Sequence, residues 1–230
     1  MNFRMNLCQT GITLFASLVL FVFPLQRAHA DDFEDWNEPG FENHPLPNQP
    51  GLHAVERLGF TVGGDVVSKL TRSDGTISQI TAGGLYQAGI GALYRYPTIP
   101  FSIELTLNYH VDSDYNNSDN ASFRRTPVEA LVYFNGMDRF RIGAGMRRVY
   151  DARASSTING VTEKYTFKTA HGSIIEIGYE VQPYGWVNLR YVKEHYMVDT
   201  YTTTGGTTQG LSGNVPYDGS HWGFFISYEY

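Results

Sequence analysis

The stretch from His221 to Tyr230, HWGFFISYEY, alternates between two kinds of side chain and decides the fold. Large apolar or aromatic residues fill every second position from Trp222 to Tyr230, and small or polar residues lie between them except at Phe225. A period of two indicates a β-strand with two unlike faces. A strand that turns its apolar face to lipid and its polar face to a barrel lumen has this composition.

The same alternation recurs along the chain. It is cleanest over 101–111, where Phe101, Ile103 and Leu105 alternate with polar residues. We therefore predict an all-β fold, an eight-stranded antiparallel up-and-down transmembrane β-barrel. The predicted strands are 58–70, 79–96, 101–111, 123–134, 139–150, 164–181, 185–200 and 220–230.

The connections between these strands alternate between two lengths. Short periplasmic turns and longer extracellular loops are typical of bacterial outer-membrane barrels. A soluble lipocalin-type barrel is the alternative, but it would turn the apolar face inward, and here the polar face carries many Arg, Glu and Gly residues. The predicted short turns are 96–100, 135–138 and 182–185, and the long polar connections are 71–78, 112–122, 151–164 and 200–219.

The first 56 residues precede the alternating region. Residues 1–30 have the features of a secretory signal peptide, because Arg4 precedes an apolar run and Ala28-His29-Ala30 offers a cleavage site. An uncleaved anchor is the alternative. Residues 31–56 are acidic and rich in proline, which indicates an extended periplasmic arm, with a short plug and a partner-binding segment as the alternatives. The barrel is predicted to occupy 57–230.

The composition restricts the function classes. Removal of residues 1–30 takes away two of the 17 Lys and Arg and none of the 23 Asp and Glu, so the net charge becomes 15 − 23 = −8. This charge argues against nucleic acid as a partner. Cys8, the one cysteine, leaves with the signal, so we expect neither a disulfide nor thiol chemistry.

From 57 to 230 the architecture resembles the small eight-stranded outer-membrane barrels of the outer membrane protein A and X type. The aromatic last residue, with apolar residues two and four before it, resembles the C-terminal signature of such barrels. The resemblance implies a monomer in the bacterial outer membrane, with the lipid bilayer, lipopolysaccharide and the barrel assembly machinery as partners. No periplasmic peptidoglycan-binding domain follows the barrel, so a wall-tethering role is not implied. The assembly signal is expected in Phe224, Ile226, Tyr228 and Tyr230.

Charged residues occupy the polar face of most predicted strands. Eight strands enclose an interior that side chains just fill, and an unpaired charge buried there would be very costly. We therefore predict a salt-bridged plug, with a narrow gated channel as the alternative, and expect Arg141 and Arg147 to pair with Glu129 or Glu176. The predicted lumen network comprises Arg95, Glu104, Glu129, Arg141, Arg147, Glu176, Glu180, Arg190 and Glu229.

Two short motifs raise the question of chemistry. His171 and Ser173 have the spacing of the His and Ser that outer-membrane lipid A deacylases place on the barrel exterior. In those enzymes a Glu orients the His. The remaining pattern of that family is missing, so an interfacial strand end is the favoured interpretation. The acidic run 112–119 imitates a calcium loop but lacks its turn glycine and its bidentate Glu. We expect no metal site and no cofactor.

The sequence thus favours a non-enzymatic role in envelope integrity or in surface interaction through the extracellular loops. The alternatives are an outer-leaflet lipid A-modifying hydrolase that uses His171 and Ser173, and a narrow gated channel.

Overall fold

A computed structural model describes residues 49–71, 75–116, 119–204, 206, 209–210 and 216–230. The predicted signal peptide at 1–30 and most of the predicted arm at 31–56 lie outside the described residues. Within the described part, no helix is long and apolar enough to cross a membrane. The described elements are all strands: β1 (Gly51–Gly63), β2 (Val66–Thr71), β3 (Ile77–Thr81), β4 (Leu85–Arg95), β5 (Phe101–Asn116), β6 (Asp119–Met137), β7 (Phe140–Ile158), β8 (Val161–Phe167), β9 (Ala170–Gln182), β10 (Gly185–Tyr196), β11 (Val198–Thr203), β12 (Gln209–Gly210), β13 (Tyr217–Asp218) and β14 (His221–Glu229).

Eight of these strands close into an antiparallel barrel, which confirms the predicted fold. The order around the ring is β1, β4, β5, β6, β7, β9, β10 and β14. The ring closes where β1 pairs with β14, from Val55 opposite Glu229 to Gly63 opposite His221. At this seam the amide of Tyr230 donates to the Ala54 carbonyl at 2.9 Å. A closed ring leaves no unpaired strand edge in the wall of the barrel.

The wall strands differ from the predicted ones at their ends. β1 begins at Gly51, seven residues before the predicted start, so 51–56 form part of the wall and not of the arm. It also ends earlier, because Gly63 and Gly64 adopt positive φ angles of 135° and 79° that turn the chain into β2. The other long predicted strands are also interrupted, at 82–84, 168–169 and residue 197.

Much of the predicted long polar connections is β-structure where the structure describes them, because strand pairing continues well past the wall. β7 and β8 form a hairpin whose turn residues, Asn159 and Gly160, have φ angles of 51° and 79°. Positive φ at both central residues is the requirement of a type I′ turn, and Asn-Gly is its preferred sequence. β8 pairs in turn with β11, which pairs with β12. We call β8, β11, β12 and the 151–158 part of β7 the projecting sheet.

One end of the barrel therefore differs from the other. The short-turn end carries the connections at 96–100, 138–139 and 183–184, and the long-loop end carries the projecting sheet and the β2–β3 hairpin. Between the two ends, the outward face of the wall is apolar, with Ile90, Met146 and Ile175 more than 60% exposed. Aromatic pairs border this band: Tyr94–Tyr96, Phe101–Phe134 and Phe140–Tyr179 at the short-turn end, and Phe60–Tyr86 and Tyr191–Trp222 toward the long-loop end.

Candidate functional site: the charged interior and the long-loop end

The inward positions of the wall carry a buried network of arginines and glutamates. Strand parity places these side chains there, because residues that alternate with the exposed apolar ones must point to the lumen. Each of the nine residues predicted for the network lies at an inward position and is at most 6% exposed. Those nine residues are Arg95, Glu104, Glu129, Arg141, Arg147, Glu176, Glu180, Arg190 and Glu229.

The centre of the network is built around Arg190 on β10. Its guanidinium lies 2.6 Å from Glu176 Oε2 and 2.7 Å from Glu129 Oε2, so it joins β9 to β6 across the lumen. Arg57 on β1 lies 2.7 Å from Glu104 and 3.4 Å from Glu176. Buried Arg–carboxylate pairs of this geometry form charge-assisted hydrogen bonds, and removal of one partner leaves the other charge unpaired.

Near the short-turn end, Glu229 of β14 holds two arginines. Arg141 on β7 donates to Glu229 Oε1 at 2.6 Å, and Arg95 on β4 donates to Glu229 Oε2 at 2.7 Å. Arg141 lies 3.9 Å from Glu176, and no contact joins it to Glu129 among the described residues. Glu180 accepts the Tyr184 amide at 3.1 Å. The last wall strand thus supplies the carboxylate that neutralises cations on β4 and β7.

Toward the long-loop end, Arg147 on β7 bridges Glu129 at 3.6 Å and Glu194 on β10 at 3.2 Å. Two histidines complete this layer, with their ring centroids 5.3 Å apart. His110 Nε2 lies 2.8 Å from Thr61 Oγ1, and the ring of His221 lies 3.4 Å from Arg147. Polar side chains from six strands therefore continue the charged network toward the long-loop end.

Aromatic rings separate the arginines. Phe225, the one apolar residue on the inward face of β14, lies between Arg190 at 4.7 Å and Arg57 at 5.9 Å. Its ring occupies the space that side chains at Gly59 and Gly223 would fill. A desolvated cation over an aromatic face is stabilised by about 2 kcal/mol. Phe225, the residue that breaks the alternation in the sequence, thus contacts the charged network.

The predicted network left out five Arg, Glu or His residues of the described interior that are at most 3% exposed. Arg125 and Glu194 lie within the predicted strands 123–134 and 185–200 and share parity with Glu129 and Arg190, so strand parity could have identified both. The missed residues are Arg57, His110, Arg125, Glu194 and His221, all at most 3% exposed.

An apolar layer closes the interior at the long-loop end. Side chains from β6 to β11 meet there with Ile80 and Ala82 of the β2–β3 hairpin, which lies across the opening. Asp112 fastens the hairpin, because its Oδ2 accepts the Thr81 amide at 2.7 Å and the Thr81 hydroxyl at 3.2 Å. Burial raises the pKa of Asp112, and the hydrogen bonds from Thr81 oppose that rise. The layer consists of Ile80, Ala82, Ala121, Phe123, Val149, Ala152, Ala154, Phe167, Ala170, Tyr196 and Val198.

His171 and Ser173 lie outside the barrel on β9, and both are exposed. His171 is opposite Arg148 of β7, and Ser173 is opposite Lys193 of β10. Within the described part of the chain, no hydrogen bond joins the two and no carboxylate contacts His171. A base-activated nucleophile requires such contacts. The described residues also contain no group of three or more His, Cys, Asp or Glu placed to hold a metal ion.

Three solved structures of outer-membrane proteins are similar to this chain. Neisserial surface protein A is 14% identical, with a TM-score of 0.47 over 78% of this chain and 97% of its own. A major outer membrane protein from Thermus thermophilus is 11% identical, with a TM-score of 0.48 over 78% and 99%. Outer membrane protein AlkL, solved by solid-state NMR in DMPC lipid bilayers, is 15% identical, with a TM-score of 0.38 over 82% and 96%.

These scores lie below 0.5, so the fold assignment stands on the strand pairing of this chain. No protein-family model matches the sequence. No curated protein matches it either.

Proposed function

We propose that this chain is a non-enzymatic outer-membrane protein, a closed β-barrel that contributes to envelope integrity and interacts at the cell surface through its projecting sheet. The observation that carries the proposal is the inversion of the barrel, which is apolar and aromatic outside and charged inside. An apolar outer surface is stable in contact with lipid hydrocarbon. A closed β-barrel can lie in that hydrocarbon because its backbone groups are hydrogen-bonded between its own strands.

The filled interior favours a closed barrel over a channel. The charged network occupies the middle of the lumen, and the apolar layer with the β2–β3 hairpin lies across the long-loop end. An eight-stranded barrel has room for side chains but not for a water-filled path beside them. The buried ion pairs favour a structural role, since opening the lumen would separate charged partners that are both buried.

The projecting sheet is suited to contacts with other molecules. It is ordered by strand pairing, and its side chains are tyrosines and threonines more than charges, as in Tyr165 beside Tyr201 with centroids 4.8 Å apart. The hydroxyls of Thr166 and Thr200 lie 2.6 Å apart across the same strands. Tyrosine offers large contact area at low entropic cost, and hydroxyls adapt as donors or acceptors. With this sheet outside the cell, we infer a monomer that contacts lipopolysaccharide and is inserted by the barrel assembly machinery.

Cysteine labelling in intact cells tests the location and the orientation. In a Cys8→Ser background, Ser156→Cys and Gly206→Cys at the long-loop end should react with a membrane-impermeant thiol reagent. Asp138→Cys and Pro183→Cys at the short-turn end should react only after the outer membrane is permeabilised. The opposite pattern would invert the orientation, and equal labelling of all four positions in intact cells would contradict an outer-membrane location.

Lipid A analysis tests the non-enzymatic part of the proposal. Mass spectra of lipid A should be identical in cells with the protein, without it, and with the Ser173→Ala variant. A mass change that requires both the protein and Ser173 would establish the hydrolase in its place.

A further inference from the structure

The outward face of the wall carries a basic patch just beyond the apolar band. Arg148, His171, Ser173 and Lys193 form this patch on the adjacent strands β7, β9 and β10, and all four are exposed. Cross-strand register makes them neighbours, since Arg148 is opposite His171 and Ser173 is opposite Lys193. Opposed Cβ atoms in an antiparallel pair lie about 5 Å apart, so four polar groups converge within the reach of one small anion.

Acids lie near this patch but form no ion pair with it among the described residues. Neither Arg148 nor Lys193 lies within ion-pair distance of a carboxylate among the described residues. Two nearby acids have their closest contacts elsewhere: Asp151 pairs with Arg153, while Asp218 accepts the Ser220 amide at 2.9 Å and lies 3.9 Å from His195. The hydrogen bonds from Ser220 lower the pKa of Asp218, and the charges of His195 and Lys193 add to that effect at longer range. The Arg148 guanidinium lies 5.1 Å from the Tyr150 ring centroid, and no hydrogen bond from it to a described residue is present.

Four other wall strands carry aromatic residues toward the long-loop end. The outward residues on β14, β1, β4 and β5 are Trp222, Phe60, Tyr86 and Tyr109. On β6 the exposed Arg124 lies opposite Arg153, which pairs with Asp151. The basic residues described on the outward wall toward the long-loop end thus lie on β6, β7, β9 and β10, although the chain as a whole is acidic.

What lies beneath the patch indicates the chemistry of its partner. Met146 and Ile175, the outward residues two positions closer to the short-turn end on β7 and β9, are 68% and 62% exposed and belong to the apolar band. A molecule seated here meets cations and a hydroxyl at one end and a hydrocarbon surface directly below. Arginine and lysine with a hydroxyl donor suit phosphate oxygens, and the apolar surface suits acyl chains.

We propose that the basic patch is a binding site for a phosphate-bearing lipid of the surrounding leaflet. The phosphate is held by Arg148 and Lys193, with Ser173 and His171 as hydrogen-bonding partners, and the acyl chains lie along Met146 and Ile175. This inference rests on the proposed membrane location. It gives the His-x-Ser motif a role in recognition in place of catalysis.

Native mass spectrometry of the full chain in detergent tests the proposal. The probe is lipid A with both phosphates, compared with the same lipid after removal of its phosphates. The variant Arg148→Gln/Lys193→Gln should bind the phosphorylated lipid roughly thirtyfold more weakly, at about 1 kcal/mol per lost charge. The control Lys69→Gln/Arg139→Gln, which loses the same charge elsewhere on the surface, should bind like the parent.

A second variant guards against a folding defect. Arg148→Lys/Lys193→Arg keeps both charges and should retain most of the affinity, and heat-modifiable migration on gels should be unchanged in every variant. Millimolar inorganic phosphate should not displace the lipid, because the site requires the acyl chains as well.

Three results would overturn the proposal. Equal affinity of the parent and the Gln double variant would exclude the patch, and equal affinity for both lipids would assign binding to the apolar band alone. Displacement by inorganic phosphate would make the site one for free anions. Failure to retain any lipid of either kind would instead contradict the membrane location itself, which separates the two claims.

Discussion

At the scale of single residues, the pairing of charges is more specific than strand parity. Parity predicts that Arg141 points inward, but it does not identify the carboxylate that Arg141 meets across the lumen. The partner at 2.6 Å is Glu229, more than eighty residues away and three strands around the ring. For Arg147 the predicted partner is present, because Glu129 lies opposite Arg147 in the register and 3.6 Å from its guanidinium. Cross-strand neighbours can be read from sequence, whereas contacts through the lumen depend on barrel diameter and tilt.

Two double-mutant cycles distinguish these partners. We expect Arg141→Met and Glu229→Gln each to lower the free energy of unfolding by about 3–5 kcal/mol, since each deprives a buried charge of its closest partner. The double variant should lose less than the sum, with a coupling of about 0.5–3 kcal/mol. The cycle of Arg141→Met with Glu129→Gln should give a much smaller coupling. Urea unfolding in detergent micelles measures both, and equal couplings would contradict the assigned partners.

The space around Phe225 gives a second prediction at this scale. A Cβ atom at Gly59 would overlap the Phe225 ring, so Gly59→Ala should cost about 1–3 kcal/mol of stability. In a Phe225→Leu background the same change should cost distinctly less, because the ring it strikes is gone. The unfolding midpoints of the parent, the two single variants and the double variant measure this difference. If Gly59→Ala costs as much stability in the Phe225→Leu background as in the parent, the clash is not with the Phe225 ring.

At the scale of elements, sequence periodicity predicted the eight wall strands but not the six strands beyond them. The wall has an environment of period two, lipid on one side and lumen on the other, and this leaves a record in the sequence. The β2–β3 hairpin and the projecting sheet lack that alternation of environments, so their composition resembles that of loops. Asn159-Gly160 and Asp74-Gly75 were the local sequence signals for hairpins there. The basic patch was similarly hidden, since it requires the register of three strands.

The β2–β3 hairpin should open without loss of the barrel. Asp112→Ala removes the acceptor for the amide and the hydroxyl of Thr81, at a cost of about 1–3 kcal/mol to closure. We expect faster tryptic cleavage after Lys69, which is exposed on β2, with an unchanged unfolding midpoint of the wall. Ser113→Ala, at the neighbouring partly exposed position, is the matched control. A midpoint that falls together with the protection of Lys69 would mean that hairpin and wall unfold as one.

The seam strand offers the other test at this scale. Tyr230 exchanges two backbone hydrogen bonds with Ala54 and lies at the border of the apolar band. Tyr230→Asp places a charge there, and we expect less folded protein in the outer membrane, while Tyr230→Phe should assemble normally. Heat-modifiable migration of membrane fractions measures the outcome, and normal assembly of Tyr230→Asp would contradict the role of this residue.

At the scale of the whole molecule, the interior should not conduct ions. The charged network and the apolar layer fill the lumen in series, so the parent protein in a planar bilayer should give current near the baseline. Opening the β2–β3 hairpin with Asp112→Ala should leave the current near the baseline as well, because the charged network remains. A large, steady current through the parent would favour the channel over the closed barrel.

The seam between β1 and β14 also determines how the chain can fold. Its partners are separated by about 170 positions, as between Val55 and Glu229, whereas the other wall pairs join strands close in sequence. Contacts of such high order form late, because the entropy of closing so long a loop opposes them until the remaining strands are in place. Glu229 arrives with that strand, so Arg95 and Arg141 stay without their tightest carboxylate until the last step. Closure of the backbone ring and neutralisation of the lumen are therefore one kinetic event, and an arrested intermediate exposes two bare strand edges together with uncompensated positive charge.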